Sequence, residues 1–203
     1  MYIVIEGQDG TGKSTQANLL ADYFRKQGKN AIIMEEPDGD LPQAHELHDL
    51  ILTRGKDYHL EPFTNVLLFT ASRLELWTKI AKPALESGSV VISARNWWST
   101  LAYQGYGEGI PIQDIIDINQ KIMPAEYINP TKSIILTLPD EIRLARQQDR
   151  GKAIETFEAK DTIFQQKVND AYLSIAKQFN INTSDATGSI DKVFNNIKNI
   201  LQI

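Results

Sequence analysis

The chain has 203 residues, 42% of them apolar and 23% charged, a composition that suits one packed core and is short for two domains of ordinary size. Its 21 basic and 26 acidic side chains leave a net charge of −5, so it lacks the broad positive field of a non-specific nucleic-acid binder, and any anion it takes must be held by a local site. With no cysteine, disulfide scaffolds, thiolate metal sites and cysteine nucleophiles are excluded together.

In chain order, residues 2–6 form an apolar run stopped by Gly7, and the helical spacing of Ala17, Leu19, Leu20, Tyr23 and Phe24 predicts a helix from Lys13 to Lys26. A second strand is expected at Ala31–Met34 and a helix at about Pro42–Thr53. A long helical stretch from about Leu60 to Ser87, with Pro83 as a kink, feeds a strand at Ser89–Ser93. Ser99–Gln104 reads as a short helix followed by a glycine-rich loop at Gly105–Gly109. Then come a helix at Ile112–Ile122, a strand at Ser133–Leu138, a helix at Asp140–Gln148, and a longer one at Lys160–Phe179. A weak strand near Asn180–Thr183 and a helix at Ser189–Ile200 close the chain. Five short strands separated by helices predict an α/β fold with a mostly parallel sheet and helices on both faces, because parallel strands need long crossovers. No apolar run approaches a membrane span, and the N-terminus carries neither a basic region nor a cleavage site, so a cytoplasmic location is expected.

Gly7-Gln8-Asp9-Gly10-Thr11-Gly12-Lys13-Ser14 fits G-x-x-x-x-G-K-[ST] and sits between the first strand and the first helix, as a phosphate loop must. Its glycines let successive N–H groups face a phosphate, Lys13 reaches the outer phosphates, and Ser14 can ligate magnesium. The chain has no N-K-x-D, and its one D-x-x-G, Asp185–Gly188, lies near the C-terminus, which argues against a GTPase. Small size points instead to a kinase acting on a small molecule. Arg146 and Arg150, four apart just before Gly151, can descend together on phosphates when a lid closes. Arg95, at the carboxyl end of an apolar strand, suits an acceptor phosphate. His45, His48 and His59 are too scattered to suggest a structural metal. Trp97 and Trp98 follow Arg95 closely enough to line an acceptor pocket.

Over nearly its whole length the chain resembles the thymidylate kinases. The resemblance rests on Glu6–Thr15, on Glu36-Pro37-Asp38-Gly39, on Leu67–Arg73, on Arg95 followed by Ser99–Gly105 (S-T-L-A-Y-Q-G), and on Thr156-Phe157-Glu158. It implies a P-loop kinase of one domain with a lid at about 146–158, transferring the γ-phosphoryl of Mg-ATP to dTMP, and a homodimer. It implies that Gly7–Thr15 hold ATP, including Gly7, Gln8, Asp9, Gly10, Thr11, Gly12, Lys13, Ser14 and Thr15. Phe69 would stack on the thymine and Arg73 would bond its edge. On the same resemblance Ser99, Thr100 and Gln104 are candidates for the remaining base contact, Tyr103 would lie near the sugar, and Glu36 and Pro37 would complete the pocket. The resemblance gives Asp9, Lys13, Arg95, Arg146 and Arg150 the catalytic roles, and would place Ser14, Asp9 and Glu158 in the magnesium shell. The chain departs from the family pattern at Ala94 (an Asp in the family), Thr156 and His48 (each an Arg) and Asp38 (a Gly). Kinases of another deoxynucleotide or nucleoside, and a nucleotide-binding regulator that has lost turnover, stand as alternatives.

Overall fold

The computed structural model describes residues 1–37, 41–53, 60–149, 157 and 159–203. Five parallel strands, β1 (Tyr2–Gly7), β2 (Ala31–Glu35), β3 (Val90–Ala94), β4 (Lys132–Thr137) and β5 (Asn182–Asp185), lie in the order β2-β3-β1-β4-β5. Alternate residues of each strand face opposite sides of the sheet, and both sides are covered, which is why the central strands read as continuous apolar runs. Ile3, Ile5, Val90, Ile92, Ala94, Ile134 and Leu136 pack on one side with α1 (Lys13–Lys26) and α10 (Ile190–Leu201). Tyr2, Val4, Met34, Val91 and Ile135 pack on the other with α3 (Pro62–Leu76), α6 (Ile112–Ile122) and α9 (Thr162–Gln178).

Between these lie α2 (Pro42–His48), α4 (Lys82–Glu86), α5 (Trp98–Thr100), α7 (Ala125–Ile128) and α8 (Asp140–Asp149). The strands and the main helices stand within two residues of their expected bounds; α7 has no counterpart in the sequence reading. Just before Pro83, which lacks an N–H, the hydrogen-bond ladder slips a residue: Trp77–Ala81 is a π-helical segment whose Lys82 N–H donates to the Trp77 carbonyl. One expectation is corrected in form. The expected loop at Gly105–Gly109 is helical through Gly107, because α5 runs on as a π-helix, Leu101–Gly107. Its glycines serve close packing: a Cβ on Gly105 would stand 2.5 Å from Ile112 Cδ1 and one on Gly107 2.6 Å from the Phe164 ring.

The chain leaves β1 for the α1 side of the sheet and leaves the adjacent β3 for the opposite side. That reversal opens a crevice at the carboxyl ends of β1 and β3, where parallel sheets bind their ligands.

Candidate active site

The loop after β1 curls because Gly10 and Gly12 take φ of 89° and 90°, and Gly7 a φ of 140°, a region that side chains resist. Thr11 closes it with its N–H (3.3 Å) and hydroxyl (2.8 Å) on the Gln8 carbonyl. No side chain caps α1 and no acidic residue lies in its first turn, so its amino-terminal N–H groups and positive dipole end face the crevice. Lys13 Nζ donates to the Gln8 carbonyl at 3.0 Å and lies 3.6 Å from Asp9. Burial, with the Arg95 charge, lowers its pKa to about 8 against the opposing pull of Asp9 and Glu6. Ser14 is exposed beside it. The Gln8 side chain turns away, its amide donating to the carbonyl and side chain of Gln165 on α9.

Arg95, just past β3, has a φ of 85°. Its guanidinium pairs with Asp9 and donates to Ser99 Oγ (3.1 Å). Tyr103 donates its hydroxyl to the other Asp9 oxygen at 2.8 Å; burial and the Asp9 charge push that hydroxyl up, so it stays protonated. The turn carrying Arg95 is pinned from below by Glu6, fully buried, which accepts from the backbone N–H of Asn96 (2.7 Å) and Ser99 (3.1 Å) and from the Tyr172 hydroxyl (3.2 Å).

The expected base pocket assembles on α3 and α5. Phe69 lies on the crevice wall, 6.1 Å from the Phe157 ring, with the Arg73 guanidinium 5.4 Å from its centroid. Arg73 is 2% exposed; its Nε donates to Glu36 at 2.8 Å and its Nη1 to the Thr100 hydroxyl at 2.6 Å. Tyr127 of α7 donates to both Glu36 oxygens (2.8 and 3.1 Å). Burial pushes Glu36 up to about 7, against Arg73 and Tyr127, which favour its charged form. The Pro37 carbonyl accepts from Ser72 at 2.6 Å. Gln104 is buried and reaches Glu108 at 3.4 Å.

One cavity of about 380 Å³ joins the phosphate loop, Asp9, Arg95, Phe69, Arg73 and Tyr103. Arg146 stands apart from that wall, its Nη2 donating to the Ala186 carbonyl at 2.9 Å. Arg150, Thr156 and Glu158, together with Asp38 and His59, lie outside the described residues. Trp97 and Trp98 are packing residues: buried, they meet Phe179 edge-on at 5.3 Å and tilted at 6.1 Å. Sequence reasoning missed Tyr127 and Tyr172, which sit on distant helices with no local signal. It also missed Arg143, 1% exposed, whose backbone oxygen and Cγ would stand 3.0 Å from a Cβ on Gly10; its place three residues after Asp140 and four before Gln147, both bonded to it, was the available clue.

A parallel sheet ordered 2-3-1-4-5, a glycine loop opening onto a bare helix N-terminus, and a pocket holding an aromatic ring and an arginine define a P-loop phosphotransferase of small molecules. A family model for thymidylate kinase matches residues 5–197. The chain is 36% identical over 203 residues to a probable thymidylate kinase of Thermococcus onnurineus (97% of this chain, 95% of that one). It is 33% identical to a thymidylate kinase of Thermosipho africanus (100% and 98%). The crystal structure of thymidylate kinase from Ehrlichia chaffeensis matches with a TM-score of 0.76 and 29% identity, covering 100% of this chain and 98% of that one. The chain belongs to the thymidylate kinase family, whose reaction is ATP-dependent phosphoryl transfer.

Proposed function

We propose that this chain phosphorylates dTMP with ATP, giving dTDP and ADP. The observation that carries this reading is the single crevice that joins a triphosphate cradle to a pocket built from Phe69 and Arg73. In that pose a dTMP phosphate oxygen attacks the γ-phosphorus, the bond to the β-phosphate oxygen breaks, and ADP leaves with the electron pair. The acceptor phosphate is already ionised, so the protein need not supply a strong base; positioning and charge neutralisation carry the rate. Arg95 is suited to hold the acceptor phosphate, Lys13 to meet the outer phosphates of ATP, and Asp9 to keep Arg95 aligned. Phe69 offers stacking worth about 1–3 kcal/mol but little discrimination, which leaves base choice to the donor-only fork of Arg73 together with Thr100. Ser99 and Gln104 line the same crevice as candidates for a further base contact, and Tyr103 is suited to the sugar.

Magnesium fits this wall: Ser14 Oγ and nearby carboxylates are hard oxygen donors, and among the described residues no group of three or more His, Cys, Asp or Glu forms a cage that would hold a metal without the phosphates. When bound with ATP, the ion neutralises charge on the β- and γ-oxygens. We read residues 1–203 as one kinase domain with a lid at about 146–158, to which Arg146, Arg150 and Glu158 belong. Dimerisation is carried by the resemblance and by Phe63 and Leu67, which stand 41% and 46% exposed one turn apart on α3. A cytoplasmic location agrees with the finding that no helix among the described residues is long and apolar enough to cross a membrane.

The reading is tested by ADP release from Mg-ATP with dTMP, dUMP, dCMP, dGMP and thymidine in parallel, with Lys13→Ala as blank. Selective turnover of dTMP is expected. Preference for another acceptor moves the function within the kinases, and nucleotide binding without turnover replaces it with a regulator.

A further inference from the structure

Position 94 ends β3 directly beside β1, opposite Ile5, at the edge where the phosphate loop begins. It offers only a buried methyl group. On its other side β2 runs parallel, and the residue paired with Ala94 is Glu35. Paired residues of neighbouring parallel strands project to the same face, and the face alternates along each strand. Ala31 and Ile33 of β2 pack with Val90, Ile92 and Ala94 on the α1 side, so Glu35, two residues beyond Ile33, continues toward the first turn of α1. Ser14, Thr15, Ala94 and Glu35 accordingly line one wall of the crevice.

Three acidic side chains among the described residues line that crevice. Asp9 is engaged by Arg95, Tyr103 and Lys13, and Glu36 by Arg73 and Tyr127. Glu35 is exposed and makes no side-chain hydrogen bond or ion pair with the described residues. An uncommitted carboxylate next to a triphosphate cradle is repulsive unless a cation stands between the two. We propose that Glu35 supplies the carboxylate facing the magnesium shell of the bound nucleotide, reaching across from β2 in place of a side chain at position 94. Strands lie about 4.8 Å apart, a gap the extra methylene of glutamate helps to cross. The proposal rests on the kinase reading, since it presumes that the cradle holds a magnesium-bound nucleotide.

The test is calorimetric titration of ATP into the unmodified chain, Glu35→Gln and Glu35→Gln/Ala94→Asp, each with Mg²⁺ and with EDTA. The ratio of the dissociation constant in EDTA to that with Mg²⁺ is expected to fall about 10-fold in Glu35→Gln, the lower end for disturbed metal shells, and to recover in the double variant. An unchanged ratio overturns the proposal, as does an equal tightening under both conditions, which would make Glu35 a plain repulsive charge. Loss in the single variant without recovery in the double overturns the claim that the two positions face one ion. Failure of the kinase reading shows separately, as absence of dTMP turnover by the unmodified chain whatever the titrations give.

Discussion

Arg73 owes its aim to a chain of partners that begins behind the crevice wall and ends in it. Tyr127 holds Glu36, Glu36 holds the Arg73 Nε, and Thr100 takes Nη1, so the Arg73 fork proposed to read the base is fixed before a nucleotide arrives. The lift of Glu36 to about 7 makes this fixation depend on pH. As pH falls through that value a proton joins Glu36, Arg73 loses its ionised partner, and affinity for the base drops; as pH rises the ion pair and the affinity return. Thymidine, which has no phosphate to titrate, is the ligand for the measurement: its dissociation constant is expected to rise below pH 7, with the midpoint moved upward in Tyr127→Phe, where a donor favouring the charged carboxylate is gone. A flat profile from pH 5.5 to 8.5 would sink this account. Phe69 and Arg73 were legible in the sequence because Leu67–Arg73 resembles the helix that carries this pair in the thymidylate kinases, and their spacing of four puts them on one helical face. The support behind them was not, because Tyr127 is 91 residues from Glu36 and only the fold brings them together.

At the scale of elements, the phosphate loop was readable because its chemistry demands a fixed spacing between a strand and a helix, and the structure supplies both. The continuation of the helix expected at Ser99–Gln104 through Gly107, as a π-helical run Leu101–Gly107, was not. Its glycines were read as loop because glycine is a weak helix former, whereas here tertiary contact overrides propensity: α9 packs so tightly that Gly107 has no room for a methyl group. Gly107→Ala is therefore expected to lower stability by about 1–3 kcal/mol, as overpacking does, although alanine is the better helix former. Urea unfolding measures it, and a variant as stable as the parent would mean that Phe164 yields without cost. The π segment before Pro83 carries the same lesson, since the sequence announces a missing N–H but not how the ladder absorbs it.

For the whole molecule, strand and helix alternation was enough to give the class of fold, because parallel pairing leaves few other ways to connect the strands. The order 2-3-1-4-5 and the reversal between β1 and β3 depend on which side each crossover takes, a matter of packing that no local pattern encodes. Since the crevice lies at that reversal, occupying it ties together elements from both sides of the sheet. A non-hydrolysable ATP analogue and dTMP together should then raise the melting temperature more than either alone. Each contributes up to about 2.7 kcal/mol at a hundredfold excess over its dissociation constant, and scanning calorimetry at fixed protein concentration checks the sum. A shift with the pair no greater than with one ligand would place the two in competition for one subsite.

The tryptophans give the molecule a property of another kind. Trp77, Trp97 and Trp98 are all buried; Trp77 meets the Tyr127 ring at 5.5 Å, and Trp97 follows Arg95 by two residues. The folded chain therefore emits as shielded indole, and the colour of its ultraviolet fluorescence is an intrinsic optical gauge of the two segments that hold Arg73 and Arg95, with no dye attached.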